Sequence, residues 1–178
     1  MTKKEQILET ALKLFADRGY ENTPSSLIAK EAGVSEGLIF KYYTNKENLL
    51  ETIIKTGYTR IVMNNRGMLE EKDPQTFLNK ILSLPSKLVS EERDFWRLQR
   101  RLWYDETAMQ HHRRFMHPLV GRLKEAFAEL GYKEPELETE VALMLVDSLW
   151  HLFIDGTKYE HTMKLLNVIK AKYQSPIQ

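Results

Sequence analysis

Residues 33–47, Gly-Val-Ser-Glu-Gly-Leu-Ile-Phe-Lys-Tyr-Tyr-Thr-Asn-Lys-Glu, decide how the chain folds. Gly33 follows the apolar-periodic positions Leu27, Ile28, Ala29 and Ala32, and a glycine just past a helix end supplies the positive φ of a tight turn. Val34 offers an apolar plug, and Ser35 is placed to cap a new helix by accepting hydrogen bonds from its first free N–H groups. In that helix, beginning near Glu36, Ile39 and Tyr43 lie four apart and face the preceding helix. Glu36, Leu38, Lys41 and Tyr42 fall on the other faces and stay available. Small Ala29 lets the two helices cross closely. The spacing predicts a helix-turn-helix whose second helix is free to enter a DNA groove.

Working outward, residues 4–18 place Ile7, Leu8, Ala11, Leu12, Leu14 and Phe15 on one helical face, with Gly19 as the stop. Thr23 is expected to cap the next helix and Pro24 to take its first position, where no N–H is required. Downstream, Asn45 opens a long helix carrying Leu49, Leu50, Ile53, Ile54, Tyr58, Ile61 and Val62, which ties the small N-terminal domain to the rest. Gly67 and the cluster 70–74 mark a break, and Asp73 with Pro74 opens another helix that Pro85 is expected to kink or split. Residues 91–112 read as one helix. His117-Pro118 is expected to restart the chain, Gly131 to stop it and Pro135 to start it again.

The segment Val141–Ile154 has only Asp147, Ser148 and His151 as polar residues, so it must be covered on two sides. Gly156 ends it, and a last helix repeats Tyr159, Met163, Leu166 and Tyr173 before Pro176. Two such C-terminal helices hold more apolar surface than one chain can bury, which predicts a two-fold homodimer built through them as a four-helix bundle. The fold class is all-α, with about nine helices. A helix-turn-helix DNA-binding domain over residues 1–47 is followed by a helical dimerisation domain over 48–178, to which the family resemblance set out below adds effector binding.

Composition narrows the function. The 178 residues include no cysteine, which excludes a disulfide framework, a thiolate nucleophile and a cysteine zinc site, and fits a cytoplasmic protein. The longest uninterrupted apolar run is Val141–Val146, too short for a membrane span. Net charge is +1, and the first fifty residues hold seven basic and seven acidic side chains. DNA affinity must therefore come from where charges and helix ends point, not from a basic module. No convergent nucleophile, metal set or phosphate loop is present, so an enzyme is not expected.

Trp96, Trp103, Tyr104, Phe115, Met116 and Trp150 are candidates to line an apolar effector pocket, with His111, Asp147 and His151 as orienting polar groups; plain core packing is the alternative for each aromatic. Asp147 and His151 sit four apart on a helix expected to be buried, where a polar pair needs partners. The segment 93–124 holds eight basic and three acidic residues, which either pair along helix surfaces or meet an anionic effector. His111, His112 and His117 are not spaced to share a helical face with a carboxylate cluster, and neither a metal nor a cofactor is expected.

With these residues laid out, the run from Ala11 to Leu49 resembles the tetracycline-repressor (TetR) family of one-component bacterial regulators. It contains Ala-x-x-Leu-Phe-x-x-x-Gly-Tyr-x-x-Thr from Ala11 to Thr23, then Ile28-Ala29-x-x-Ala32-Gly33-Val34-Ser35-x-Gly37, then Ile39-Phe40-x-Tyr42-Tyr43-x-Asn45-Lys46-Glu47-x-Leu49. The resemblance implies a homodimer that binds double-stranded operator DNA and releases it when a small-molecule effector occupies the C-terminal domain. It places phosphate contacts on Thr23, Tyr42 and Lys46 and base-edge contacts on Ser35, Glu36, Leu38 and Lys41. It gives Lys3 and Lys4 the role of a flexible arm. Phe40 stands where the family usually has tyrosine, and Glu36 and Leu38 stand where small or basic residues are common; glutamate favours cytosine and leucine a thymine methyl. The expected function is a repressor, with an activator, a ligand-independent DNA-binding dimer or a helical interaction protein without DNA binding as alternatives.

Overall fold

A computed structural model describes residues 1–174, and Pro176, expected to follow the last helix, lies outside them. The helices are α1 (Lys3–Arg18), α2 (Ser25–Glu31), α3 (Glu36–Tyr43), α4 (Lys46–Asn64), α5 (Pro74–Glu91), α6 (Arg93–Arg101), α7 (Glu106–Glu129), α8 (Pro135–Asp155) and α9 (Tyr159–Lys172), with a 3₁₀ turn at Arg66–Met68. No strand occurs among the described residues. Two compact units form. The first joins Met1–Ile61 to Glu92–His112, and the second joins Val62–Glu91 to the residues from Arg113 onward.

In the first unit, α1 opens on a reciprocal cap: the Thr2 hydroxyl accepts from the Glu5 N–H at 3.2 Å, and the Thr2 N–H donates to the Glu5 carboxylate at 2.7 Å. Ile7, Ala11 and Phe15 of α1, Ile28 and Ala29 of α2, and Ile39 and Tyr43 of α3 are buried together. An eight-residue helix is unstable alone in water, so the burial of Ile39 and Tyr43 holds α3 in place. The Tyr43 hydroxyl adds a hydrogen bond to the Lys4 carbonyl at 2.7 Å. Helix α6 lies against α1: Arg101 donates from Nε to the Ala16 carbonyl at 2.8 Å and from Nη2 to the Asp17 carbonyl at 2.9 Å, and Arg97 pairs with the Asp17 carboxylate at 2.7 Å. These contacts satisfy carbonyls at the last turn of α1, where a cation is favoured. Against α4, the Phe95 ring sits so close to Gly57 that an added Cβ would lie 2.2 Å from its Cε2.

In the second unit α5 packs against α8 and α9, burying Phe77, Leu78, Ile81, Leu82, Leu84 and Leu88 opposite Ala142, Val146, Leu149 and Phe153. Asp73 caps α5 by accepting from the Thr76 N–H at 2.7 Å. Arg122 sits over the Phe77 ring and pairs with Glu129 at 2.9 Å.

Four local expectations are corrected. Pro85 does not split α5, and His117-Pro118 does not restart the chain, because α5 and α7 are each continuous through their proline. A proline costs one backbone bond, and buried Leu84 and Leu88, or Leu119 and Leu123, offset that loss. Residues 91–112 are not one helix: a turn at 102–105 separates α6 from α7, with Asp105 capping α7 by accepting from the Ala108 N–H at 2.8 Å. Thr23 does not cap α2. It is fully buried, its hydroxyl donates to the Gly19 carbonyl at 2.8 Å, and Pro24 takes the cap position.

Gly57→Ala is expected to cost about 1–3 kcal/mol of stability, the usual range for overpacking. Denaturant unfolding of Gly57→Ala, Phe95→Leu and the double variant checks this, with the smaller side chain expected to restore much of the loss. Burial pushes the Tyr43 hydroxyl up to about 12 from 10.0. Between those values the folded chain keeps a proton that the unfolded chain has lost, so stability must fall as pH rises above about 10. Tyr43→Phe is expected to lose about 1 kcal/mol at neutral pH and to show a shallower alkaline decline than the unmodified chain.

Candidate nucleic-acid interface

Gly33 has φ +60, Ser35 caps α3 by accepting from the Leu38 N–H at 3.3 Å, and the turn returns Val34 N–H to the Ala29 carbonyl at 3.0 Å. With Ile39 and Tyr43 turned inward, Lys41 points away from the core. Phe40 and Tyr42 are its sequence neighbours, so they stand roughly 100° to either side of it. Both are 41% exposed, Leu38 is half-buried, and Ser35, Glu36, Gly37 and Lys41 are exposed. No atom lies within 4 Å of where a Gly37 Cβ would sit, so internal packing does not demand glycine there. Its bare backbone leaves the exposed face of α3 open to close approach.

The exit from α3 is strained. Thr44 has φ 61 and ψ −53, and the Asn45 N–H bonds the Tyr43 carbonyl across it, which is a γ-turn. The turn presents Asn45 to cap α4, where its side chain accepts from the Asn48 N–H at 2.7 Å. Lys46 follows, half-buried, with its ammonium 3.0 Å from the Tyr20 carbonyl and 4.0 Å from the Tyr20 ring centroid. The contact fixes where the charge sits and leaves further N–H donors on the ammonium.

Ser35, Glu36, Leu38, Lys41, Tyr42 and Lys46 therefore gather on and beside the outer face of α3. Thr23 does not join them, because its burial within the α1–α2 turn leaves no surface for a phosphate. Lys3 and Lys4 are exposed but are not an arm: both lie in the first turn of α1, with Lys3 Nζ 3.2 Å from Gln6 Oε1 and the Lys4 carbonyl held by Tyr43. The capping box at Thr2 and Glu5 starts the helix early enough to include them.

The nine candidates for the effector site fall in both units. In the first, Trp96 is core, packed edge-on against Tyr58 and Phe95. His111 stacks on Tyr58 at 6.5 Å, and Trp103 is half-buried. Tyr104 is 98% exposed in the α6–α7 turn and lines nothing. In the second unit Trp150 is buried, and Phe115, Met116, Asp147 and His151 are half-buried, so the last two are not the fully buried pair expected. Sequence reasoning missed a hydrogen-bonded cluster in the first unit. The Tyr58 hydroxyl donates to Gln99 Oε1 at 3.3 Å and lies 3.1 Å from His112 Nδ1, and burial pushes that hydroxyl well above its ordinary titration range. The available signal was Gln99, a polar residue on the otherwise apolar face of α6 with Phe95, Trp96 and Leu98.

Of the basic residues in 93–124, Arg97, Arg101 and Arg122 serve internal contacts, and Lys124 pairs with Glu136 at 2.7 Å. A groove of about 1100 Å³ opens in the first unit among the end of α1, the start of α4 and the α6–α7 turn. Its lining includes Glu21, Glu47, Glu51, Asp105, Arg18 and Arg101 and none of the nine effector candidates. No group of three or more metal-ligating side chains occurs among the described residues, and no helix is long and apolar enough to cross a membrane.

Known proteins share this arrangement. The sequence model for bacterial regulatory proteins of the tetR family matches residues 7–53, which contain α2, α3 and most of α1. Over 157 residues the chain is 27% identical to the HTH-type transcriptional regulator YuxN of Bacillus subtilis, covering 86% of this chain and 54% of YuxN. The chain thus spans about half the length of that relative. The crystal structure of PfmR, a TetR family transcriptional regulator from Thermus thermophilus, matches with a TM-score of 0.77 at 19% identity, covering 100% of this chain and 98% of PfmR. The transcriptional regulator FadR from Bacillus subtilis, solved in complex with stearoyl-CoA, matches with a TM-score of 0.73 at 22% identity, covering 98% and 99%. At such identities the structures establish the fold, and the sequence match is carried by the N-terminal helices: residues 7–53 are similar to the DNA-binding region of the tetR family of bacterial regulatory proteins.

Proposed function

We propose that the chain is a DNA-binding transcriptional regulator acting as a homodimeric repressor, with residues 1–47 contacting operator DNA and residues 48–178 binding an effector and pairing the subunits. The observation that carries this is the outer face of α3. A helix anchored from behind by Ile39 and Tyr43 presents Gly37 and Lys41 at its centre, with Glu36 on one flank and Tyr42 and Lys46 on the other side. In a major groove the centre meets base edges and the flanks meet phosphates. Ser35, Glu36, Leu38 and Lys41 are assigned to base edges, Tyr42 and Lys46 to the backbone. Lys3 and Lys4, fixed in α1, supply a further basic edge.

Dimerisation is supported by apolar surface on α8 and α9. Leu137, Val141, Met144 and Leu152 are exposed along one side of α8, and Leu165 and Val168 on α9. A contiguous apolar face of this kind marks an association surface. A two-fold pair brings two recognition helices to a spacing near the roughly 34 Å repeat of successive major grooves. Effector occupancy, acting through α4, changes that spacing and releases the operator. Stearoyl-CoA bound to the related FadR fold favours a ligand with a long apolar part.

Selection of bound sequences from random DNA by the purified protein is the decisive experiment. A palindrome with half-sites about 10 base pairs apart is expected, and failure to enrich any sequence would overturn the proposal. For a dimer contacting about six phosphates, log affinity should fall against log salt with a slope of roughly −5. Tyr42→Ala and Lys46→Ala should each weaken binding to all sequences alike and flatten that slope. Val141→Lys combined with Met144→Lys should convert a dimer to a monomer in sedimentation and weaken operator binding, with helical content unchanged. Operator affinity that stays constant across a broad set of acyl and aromatic ligands would refute the effector role.

A further inference from the structure

We infer that Phe40 reads the 5-methyl group of thymine at one wall of the major groove, which makes it a specificity-determining residue for the operator. This rests on the DNA-binding role proposed for α3. Phe40 and Tyr42 occupy equivalent flanks of the helix, one residue before and one after Lys41, and are equally exposed at 41%. The two rings differ by one hydroxyl. Tyr42 can donate to a phosphate, whereas Phe40 has no donor and would strip water from a phosphate without replacing its hydrogen bonds.

The flank of a helix in the major groove faces the wall of the groove, where two kinds of group are within reach. One is the phosphate and sugar of the strand. The other is the methyl on thymine C5, the base-edge group that lies nearest its own backbone and the apolar feature of the major-groove code. Only the second matches a phenyl ring. Leu38 is half-buried and lies two residues before Phe40, on the Tyr42 side of the helix, so the two apolar side chains face opposite walls and reach different thymines. The bare position at Gly37 favours the contact by letting α3 sit deep enough for its flank to reach base edges.

The test replaces each thymine of the selected operator in turn with deoxyuridine, which removes the methyl and leaves base pairing intact. Affinity is measured for the unmodified protein, Phe40→Ala and Leu38→Ala, with circular dichroism confirming that each variant is folded. At one thymine per half-site the unmodified protein is expected to lose about fourfold in affinity, the value of one buried methyl. That loss should vanish in Phe40→Ala and persist in Leu38→Ala, while the salt slope of Phe40→Ala stays unchanged. Equal binding of the unmodified protein to every uracil-substituted operator would overturn the assignment without touching the DNA-binding role. Methyl sensitivity that survives in Phe40→Ala at every position would overturn it as well. Should no operator be selected at all, the DNA-binding role falls first and this contact falls with it.

Discussion

The burial of Ile39 and Tyr43 is the constraint on which the rest of the N-terminal unit depends. Eight residues of helix have no stability of their own, and these two side chains are what keeps α3 folded. The Tyr43 hydroxyl reaches 39 residues back to the Lys4 carbonyl, so the helix is tied to the first turn of α1 as well as packed against the core. Everything on the opposite face is thereby released from structural duty. Glu36, Gly37, Phe40, Lys41 and Tyr42 are not needed to hold α3, which is why their chemistry is free to be used on a partner.

A second set of contacts binds α6 into the same unit. Arg97 and Arg101 reach the end of α1, Arg60 and Glu92 form a two-pronged pair between α4 and the start of α6, and the Phe95 ring fills the space left by Gly57. A displacement of α6 therefore acts on α1 and α4 directly, because a guanidinium held by two carbonyls and a ring packed on a glycine leave little slack. The helices that frame the outer face of α3 belong to the same unit as α6. Any effector that moved α6 would move them.

The second unit carries a different imbalance. α8 buries one side against α5, and its other side, together with part of α9, remains apolar and exposed, with Met144 70% accessible. A single chain leaves this surface wet, at a cost that association of a second copy would remove.

Much of this was written locally in the chain. Gly33, Ser35, Asn45 and Asp73 act within a few residues of themselves, so turns and caps were legible from their identity, and the periodicity of α1, α3 and α4 named the buried faces, except at Val62, which ends the α4 stripe 51% exposed. What the sequence could not show depends on residues brought together over long separations. Thr23 looks like a cap and is instead buried by the turn around it; Lys46 is drawn onto Tyr20; Arg101, and Arg97 beyond its helix pair with Asp94, reach to the end of α1, some 80 residues earlier. Prolines 85 and 118 read as breaks because the sequence displays the lost hydrogen bond and hides the burial that offsets it. Tyr104 and Trp96 are both aromatic in an apolar-rich stretch, yet one is in solvent and the other in the core, since Tyr104 falls in the turn at 102–105 while Trp96 lies in α6 against Tyr58 and Phe95. The sequence alone determined which face of α3 turns inward and which turns out, because amphipathic spacing is a property of neighbours. The tertiary structure decided which side chains remain free to make contact, because burial and hydrogen-bond partners are properties of the whole unit.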